Sequence, residues 1–212
     1  MPFALRSGLF CRRFDADYVF FDLTADRYFL VTGILANHMQ RFQAGHANAA
    51  ECEELAAANL ISAGPALALP NLVLPHARSS LVDTGLEAAP FRTTLAALWA
   101  QRLARRDLCR EPIADITQNF RSRDDRPLRF QEWTAIEIAA AFHRARRYSS
   151  ALDQCLVRGI AMRRMLQRRG CQASLVFGVA MPFAAHCWVQ AGDQVLTDPL
   201  DVVLHYQPIF CA

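Results

Sequence analysis

Hydrophobic positions in the first third of the chain follow a strand-like pattern and then a helical one. Aromatic and β-branched residues fill 18–23 and 27–31, and the short connection between them predicts a β-hairpin. After Gly33 the apolar residues recur at helical spacing to about Gly45, and a second short helix fits 49–58. The pattern predicts one small unit of strands and helices over residues 1–62.

The pattern changes beyond residue 62. Ser62–Pro75 contains three prolines and a glycine without a clear period, so we expect a linker, placed at 63–88. Helical periodicity then predicts three helices, at 91–107, 131–147 and 149–169. Strand-like segments follow at 172–180, 183–190 and 194–198. Helices followed by antiparallel strands indicate an α+β domain over 89–212.

Composition narrows the possible functions. The chain has 212 residues, of which 53% are hydrophobic and 20% charged, so it can bury a core as one ordinary domain or two small ones. All 23 basic residues are arginine, which excludes a lysine nucleophile, a Schiff base and a P-loop ATPase. The net charge of +3 argues against a dedicated nucleic-acid binder. We therefore interpret Arg144, Arg146 and Arg147 as a solvated helix end.

Cysteine usage indicates the compartment. The seven cysteines form no CxxC pair and have no regular spacing, unlike a disulfide scaffold or a zinc site. We expect a reducing environment, and hence a cytoplasmic protein without metal or other cofactor. No stretch of about 18 uninterrupted apolar residues occurs, so we predict no membrane association.

Cys155 is the thiol with a reason at the sequence level to be acidic. The predicted helix starts at Ser149 and Ser150, and Cys155 lies in its first turn or at the start of its second. Ser150 and Asp153 have capping-box spacing, and Asp153 is an alternative N-cap. The positive end of a helix dipole favours thiolate over thiol, so this position predicts a lowered pKa for Cys155.

A hairpin register predicts the partners of this thiol. If the loop after the second strand centres on Gly192, His186 lies opposite Asp198, within reach of an imidazole–carboxylate hydrogen bond. Asp198 would then orient the ring of His186 while the other ring nitrogen faces Cys155. Alternation places Cys187 on the opposite face, which predicts a core residue. The pattern is that of a nucleophile, a base and its orienter, and so of nucleophilic catalysis.

Three segments carry a family resemblance. They are CLVRGIAMRRMLQRRGCQASLVFGV, PFAAHCWVQ and QVLTD. In these segments the chain resembles the lasso-peptide biosynthesis B proteins, which are transglutaminase-like, papain-related cysteine peptidases. The resemblance spans about 149–198 and implies Cys155 as nucleophile, His186 as base and Asp198 as orienter. It also implies that the protein removes the leader from a ribosomally made precursor. A separate ATP-dependent macrolactam synthetase is the partner that it implies.

Residues 1–62 resemble the winged-helix-like element that binds leader peptides in these systems, with three strands and three helices if Leu9–Phe14 supplies the first strand. The expected mode is strand addition, in which an extended leader pairs with an edge strand. The candidate leader-binding residues are Arg27, Tyr28, Phe29, Leu30, Val31 and Leu55.

Three alternatives stay open at this point. An amide-transferring enzyme would use the same three residues with an amine in place of water. A leader-binding chaperone would carry an inactive peptidase half. A winged-helix DNA binder is disfavoured, because Glu51, Glu53 and Glu54 would repel phosphates.

Overall fold

A computed structural model describes residues 3–64, 74–86, 89–121, 131–148 and 155–212. The chain divides into two compact units, Met1–Val73 and Leu74–Ala212. The first unit contains two sheets and the second unit one, each with its own helices, among the described residues.

The first unit is built from a three-stranded sheet, a two-stranded sheet and two helices. Its elements are β1 (Phe3–Leu5), β2 (Leu9–Phe14), β3 (Asp17–Asp22), β4 (Arg27–Val31), α1 (Gly33–Gln43), α2 (Ala49–Ala57) and β5 (Ile61–Ala63). The antiparallel sheet has the order β2-β3-β4, and β1 pairs with β5. The predicted hairpin of β3 and β4 and the strand at Leu9–Phe14 are therefore present.

One face of the three-stranded sheet packs on the helices. Phe20 of β3 and Val31 of β4 share a buried cluster with Met39 of α1 and Leu55 of α2. The start of α2 is held by a capping box, in which the Asn48 side chain accepts from the backbone N–H of Glu51 and the Glu51 side chain accepts from that of Asn48. This reciprocal pairing fixes α2 and so directs Leu55 into the core.

The first unit differs from the three-strand, three-helix expectation. Among its described residues it has five strands and two helices. The extra strands, β1 and β5, are three residues each, and they pair across more than fifty positions of sequence. Such a short strand has no detectable period of its own, because its formation depends on a partner that is distant in the chain.

The second unit holds the sheet and helices that position the candidate site. Its elements are β6 (Ser79–Ser80), α3 (Phe91–Leu108), α4 (Ile113–Arg121), α5 (Glu132–Ala145), a 3-10 helix (Arg146–Tyr148), α6 (Cys155–Arg168), β7 (Ser174–Ala180), β8 (Ala184–Ala191), β9 (Gln194–Val195), α7 (Leu200–Leu204) and β10 (Gln207–Cys211). The five-stranded sheet has the order β10-β7-β8-β9-β6, antiparallel except for the last pair. The α+β class predicted for this part of the chain is confirmed.

Helix α6 packs closely on the strands β7 and β8. A Cβ atom at Gly159 of α6 would lie 2.5 Å from Cδ1 of Leu175 and 3.8 Å from Sγ of Cys187. The missing side chain at Gly159 is therefore what lets the helix approach the sheet. Because Cys155 lies about one turn before Gly159, this close approach brings the thiol to the neighbourhood of β8.

Several boundaries differ from the sequence prediction. The strand β6 lies within the predicted linker 63–88 and belongs to the second unit, since it pairs in parallel with β9. Helices α4 and α7 and strand β10 were not predicted. The last two have five residues each, too few to carry a clear period, whereas the amphipathic pattern of α4 was present in the sequence and was missed. The predicted capping residues Ser150 and Asp153 lie outside the described residues.

Candidate active site

Cys155 is the first described residue of α6 and is half-buried. Its thiol is hydrogen-bonded to the side chains of His186 and Cys187 and to the backbone N–H of Cys187. The neighbouring strand β8 supplies all three of these contacts. A helix and the strand on which it packs therefore bring the thiol and the imidazole together.

His186 lies near the start of β8, opposite Gly178 of β7. At Gly178, a Cβ atom would lie 2.5 Å from the ring of Trp188 and 2.9 Å from Cβ of Tyr206. The imidazole lies beside these two aromatic residues, with ring centroids 6.4 Å from Trp188 and 5.3 Å from Tyr206. The small residue on β7 thus makes room for the aromatic surroundings of His186.

Asp198 reaches His186 by a route that the predicted register does not describe. Gln190 pairs with Val195 and Ala191 with Gln194, so the predicted register, centred on Gly192 with His186 opposite Asp198, was wrong by one residue. A regular strand in this register would direct Asp198 to the other face of the sheet. Instead β9 ends at Val195 and the chain bends through 196–198. Oδ2 of Asp198 then lies 3.5 Å from Nε2 of His186.

The end of this bend is anchored by hydrogen bonds to the sheet. The backbone N–H of Val189 donates to Oγ1 of Thr197 at 3.0 Å, and Oγ of Ser80 donates to the backbone carbonyl of Asp198 at 2.6 Å. The carboxylate is buried together with Nε2 of His186, and neither Nε2 nor Oδ2 has a hydrogen bond to any other group of the described residues, so the 3.5 Å ion pair is the contact that each makes. The two groups therefore face each other, and Nδ1 is the ring nitrogen left for the thiol.

Two arginines that were not predicted to belong to the site, Arg146 and Arg158, also reach Asp198. Arg146 donates to Oδ1 at 3.1 Å and to the backbone carbonyl of Thr197 at 3.0 Å. Arg158 lies 3.8 Å from the same Oδ1. The interpretation of Arg146 as a solvated helix end was therefore wrong. Arg158 lies three residues after Cys155 on one helix, so the two side chains share a face. This spacing was the signal in the sequence that could have placed Arg158 at the site.

Cys187 is buried, as alternation along the strand predicted, but it is also part of the site. Its side chain is 3% exposed and hydrogen-bonded to that of Cys155. Alternation directs successive side chains of a strand to opposite faces, yet the helix end lies close enough for its thiol to contact residues 186 and 187. No pattern in the sequence indicates this contact.

The contacts set the protonation states of the four groups. The pKa of Cys155 is lowered to about 4, because hydrogen bonds from Cys187 and His186 and the charge of His186 outweigh burial. Burial lowers the pKa of His186, but its hydrogen bonds to Asp198 and Cys155 and their charges raise it overall to about 9. The pKa of Cys187 is raised well above its usual value by its hydrogen bond to Cys155 and by burial.

Asp198 remains ionised despite its burial. Burial raises the pKa of this carboxyl, but hydrogen bonds from His186 and Thr197 and the charges of His186 and Arg146 lower it overall. Between about pH 4 and pH 9 the site therefore contains a thiolate, an imidazolium and a carboxylate. This arrangement can attack an electrophilic carbon and then donate a proton to a leaving group.

Residues 92–211, more than half of the chain, match the family model described as the transglutaminase-like superfamily. The chain belongs to this superfamily. The match contains Cys155, His186 and Asp198. No curated protein and no solved structure matches the chain significantly.

The candidate leader-binding residues lie outside the transglutaminase-like domain, on β4 and α2 of the first unit. Arg27 and Leu30 are exposed, and Tyr28 stacks on Phe21 with ring centroids 4.6 Å apart. Phe29 stacks on Phe20 at 5.2 Å. Strand β4 is an edge strand of the three-stranded sheet. Among the described strands, β3 is the one to which it is hydrogen-bonded.

Two of these predicted leader-binding residues belong to the core. Leu55 is fully buried, and Val31 is 8% exposed in the same cluster. Both belong to the same buried cluster as Met39 and Phe20, so they do not line an open groove. Alternation along β4 directs Val31 inward and Leu30 outward, and this leaves the exposed half of the strand as the candidate surface.

Neither a metal-ligand cluster nor a membrane-spanning helix occurs among the described residues. No three His, Cys, Asp or Glu side chains among them are grouped so that they could hold a metal ion. None of the described helices has the length and apolar character needed to cross a membrane.

Proposed function

We propose that the protein is a cysteine peptidase that removes the leader from a ribosomally made peptide precursor. The observation that carries the proposal is the convergence of Cys155, His186 and Asp198, in which an acidic thiol faces an imidazole held by a carboxylate. These are the parts of a thiol nucleophile with its base and orienter. Membership of the transglutaminase-like superfamily supports the same chemistry.

In the proposed reaction, the sulfur of Cys155 forms a bond to the carbonyl carbon at the junction of leader and core. The carbonyl oxygen takes the negative charge, which the backbone N–H groups at the start of α6 are expected to stabilise. The carbon–nitrogen bond then breaks, and the imidazolium of His186 donates its proton to the leaving amine. The products of this half-reaction are the free core peptide and a thioester between the leader and Cys155.

Hydrolysis completes the cycle. The neutral imidazole of His186 takes a proton from water, and the oxygen of that water attacks the thioester carbonyl. The carbon–sulfur bond breaks, the leader leaves as a carboxylate, and the thiolate–imidazolium pair forms again. Asp198 keeps one ring orientation throughout and stabilises the imidazolium, since its pKa lies below its usual value.

Two features support a leader peptide as the substrate. The segments around Cys155, His186 and Asp198 resemble the lasso-peptide B proteins. The first unit carries an edge strand, β4, with exposed Arg27 and Leu30, and such an edge suits the addition of an extended peptide strand. The core peptide released in this way would pass to an ATP-dependent macrolactam synthetase, the partner that the resemblance implies.

Amide transfer is the second candidate, and the superfamily name favours it. The acyl-enzyme would be the same, but an amine instead of water would take the acyl group. The two reactions differ in product mass, because hydrolysis adds the elements of water whereas transfer joins the leader to the amine. A single mass spectrum of the products therefore separates them.

The test is incubation of the 212-residue chain with a lasso-type precursor peptide that contains both leader and core, followed by mass spectrometry. We expect two fragments whose masses sum to that of the precursor plus one water. The Cys155→Ala variant should give no fragments, whereas Cys211→Ala, which changes a half-buried thiol in β10, should cleave normally. Cleavage by Cys155→Ala would contradict the assignment of the nucleophile.

A further inference from the structure

A wide groove follows the outer face of α3 and lies outside the site described above. Its volume is about 1080 Å³, and its walls include Leu95, Trp99, Arg102 and Arg110 of α3 and its C-terminal extension, together with Tyr148 of the 3-10 helix. This volume is at the upper end of the range for small-molecule sites. A groove of this size and openness is better suited to a segment of polypeptide.

The groove carries an excess of positive charge. Four arginines line it, at positions 102, 105, 106 and 110, and all four are exposed. Arg106 lies 3.5 Å from Asp107, but that carboxylate is shared with Arg164, at 2.7 Å. Within the described part of the chain, Arg102, Arg105 and Arg110 form no ion pair. Charge complementarity therefore favours a ligand with several carboxylates.

The groove is also apolar along one side. Leu95 is 48% exposed, Trp99 63% and Tyr148 67%, although large apolar side chains are usually covered. Trp99 follows Leu95 by four residues and Arg102 follows Trp99 by three, so all three lie on one face of α3. The apolar surface therefore continues directly into the cationic one. A ligand that complements both parts contains apolar residues next to acidic ones.

The groove adjoins the candidate active site through one turn of chain. Tyr148, in its wall, belongs to the same 3-10 helix as Arg146, which donates to Asp198 at 3.1 Å. Helix α3 itself packs on α6, the helix that carries Cys155, and the ion pair of Asp107 with Arg164 joins these two helices. A peptide in the groove would therefore lie on the elements that hold the site.

We propose that this α3 groove binds an acidic segment of the peptide substrate in which carboxylates alternate with apolar side chains. The inference rests on the proposed peptidase function, since it assigns the groove to the same substrate. Trp99 and Tyr148 also offer rings on which bases can stack, so a nucleic acid is the alternative that the experiment must distinguish. We favour a peptide, because Leu95 and Leu98 add an aliphatic surface to the groove and the net charge of the chain is only +3.

Cys109 offers a direct readout of occupancy, because its thiol is exposed and lines the groove. The experiment uses the full-length Cys155→Ala variant, so that no cleavage occurs, and measures alkylation of Cys109 by N-ethylmaleimide with peptide mass spectrometry. The probes are three 12-residue peptides that repeat Glu-Leu-Asp-Phe, Gln-Leu-Asn-Phe or Lys-Leu-Arg-Phe. A 12-nucleotide oligouridylate serves as the nucleic-acid probe.

We expect the acidic peptide to protect Cys109 from alkylation. Its fluorescein-labelled form should bind the protein in anisotropy measurements, with an affinity that weakens as the salt concentration rises. The double variant Arg102→Gln/Arg110→Gln should bind about threefold to thirtyfold more weakly. The matched control Arg78→Gln/Arg168→Gln removes the same charge from exposed positions outside the groove walls and should bind normally.

Equal protection by the neutral or basic peptide, no protection by the acidic one, or equal weakening in the control variant would overturn the inference. Stronger protection by the oligouridylate would do so as well. Because binding is measured without turnover, these outcomes are independent of the cleavage test. Charge-dependent protection of Cys109 in a protein that cleaves no precursor would refute the peptidase function and leave the groove as an acidic-peptide site.

Discussion

Cys11 in the first unit and Cys155 in the second are both half-buried thiols, yet they have opposite chemistry. The pKa of Cys11 is raised to about 11, because burial outweighs a hydrogen bond from Gln43 and the charge of Arg12. The pKa of Cys155 is lowered to about 4, because the donors around it outweigh the same penalty. Burial alone therefore suppresses a thiolate, and the number and charge of nearby donors decide whether it forms.

The two thiols differ in what the fold places beside them. Cys11 lies on strand β2, and the amide Nε2 of Gln43 donates to its sulfur at 3.4 Å. Cys155 receives hydrogen bonds from His186 and from both the thiol and the backbone N–H of Cys187. A hydrogen bond from a cationic partner such as His186 stabilises a thiolate more than one from a neutral amide such as that of Gln43, because it is assisted by charge.

The largest expected effect comes from removing the cationic donor. His186→Ala should lower precursor cleavage by about 10³-fold, since the thiol loses both its base and the charge that keeps it ionised. The variant should also raise the pKa of Cys155, measured as the pH dependence of its alkylation. His143→Ala, at an exposed histidine of α5, is the control and should cleave normally. Unchanged cleavage in His186→Ala would contradict the proposed base.

The wild-type protein allows a direct comparison of the two thiols at pH 6. Cys155 should be almost wholly ionised there, whereas about one Cys11 in 10⁵ should be. The acidic thiolate is intrinsically less nucleophilic, which offsets about 10³ of this difference. We therefore expect iodoacetamide to alkylate Cys155 about 10²-fold faster than Cys11, by mass spectrometry of tryptic peptides. Equal rates would show that the donors around Cys155 do not ionise it.

The pH profile of cleavage should follow the same pair of groups. Activity requires the thiolate, which is lost as pH falls through about 4, and the imidazolium, which is lost as pH rises through about 9. Initial rates should therefore be nearly constant between these values and fall about tenfold per pH unit beyond either of them. A rate that rises up to about pH 8.5, the region of an ordinary thiol, would argue against the ion pair.

A smaller effect is expected from the neutral donor beside Cys155. Cys187→Val keeps an apolar side chain, larger by one heavy atom, and the backbone N–H but removes the thiol hydrogen bond, so it should raise the pKa of Cys155 and lower cleavage at pH 5 about tenfold. Cys187→Ser restores a donor and should recover most of the rate. If Ser and Val behave alike, Cys187 acts by packing alone.

The smallest expected effect concerns Cys11. Gln43→Leu removes the side-chain donor to Cys11 and should raise the pKa of Cys11 further, with about threefold slower alkylation at pH 9. The rate at Cys155 should not change. A large change at Cys11 would mean that a single amide controls a thiol more strongly than the present comparison indicates.

Local pattern was sufficient for elements whose stability depends on their own periodicity. The strands around Phe20 and Phe29 and the helices that begin at Gly33 and Phe91 were predicted from the spacing of apolar residues. Short elements such as α7 and β10 were missed, because five residues carry too little periodicity to separate helix from strand.

The candidate site shows the limit of counting along a strand. Asp198 lies near His186 as predicted, but the register behind that prediction was wrong by one residue. The strand ends at Val195, and the bend that follows turns the carboxylate back toward the ring. Strand alternation holds only while the strand continues, so it could not predict this turn.

The sequence by itself determined the α+β class and the hairpin of the first unit, because these follow from periodicity. It singled out Cys155, His186 and Asp198 through the chemistry of single residues and a family resemblance, and not through a correct register. Only the tertiary structure decided that Cys187 and Arg146 join the site and that Leu55 belongs to the core. Contacts between a helix end, a strand and a bend depend on packing distances such as that at Gly159, which no local pattern records.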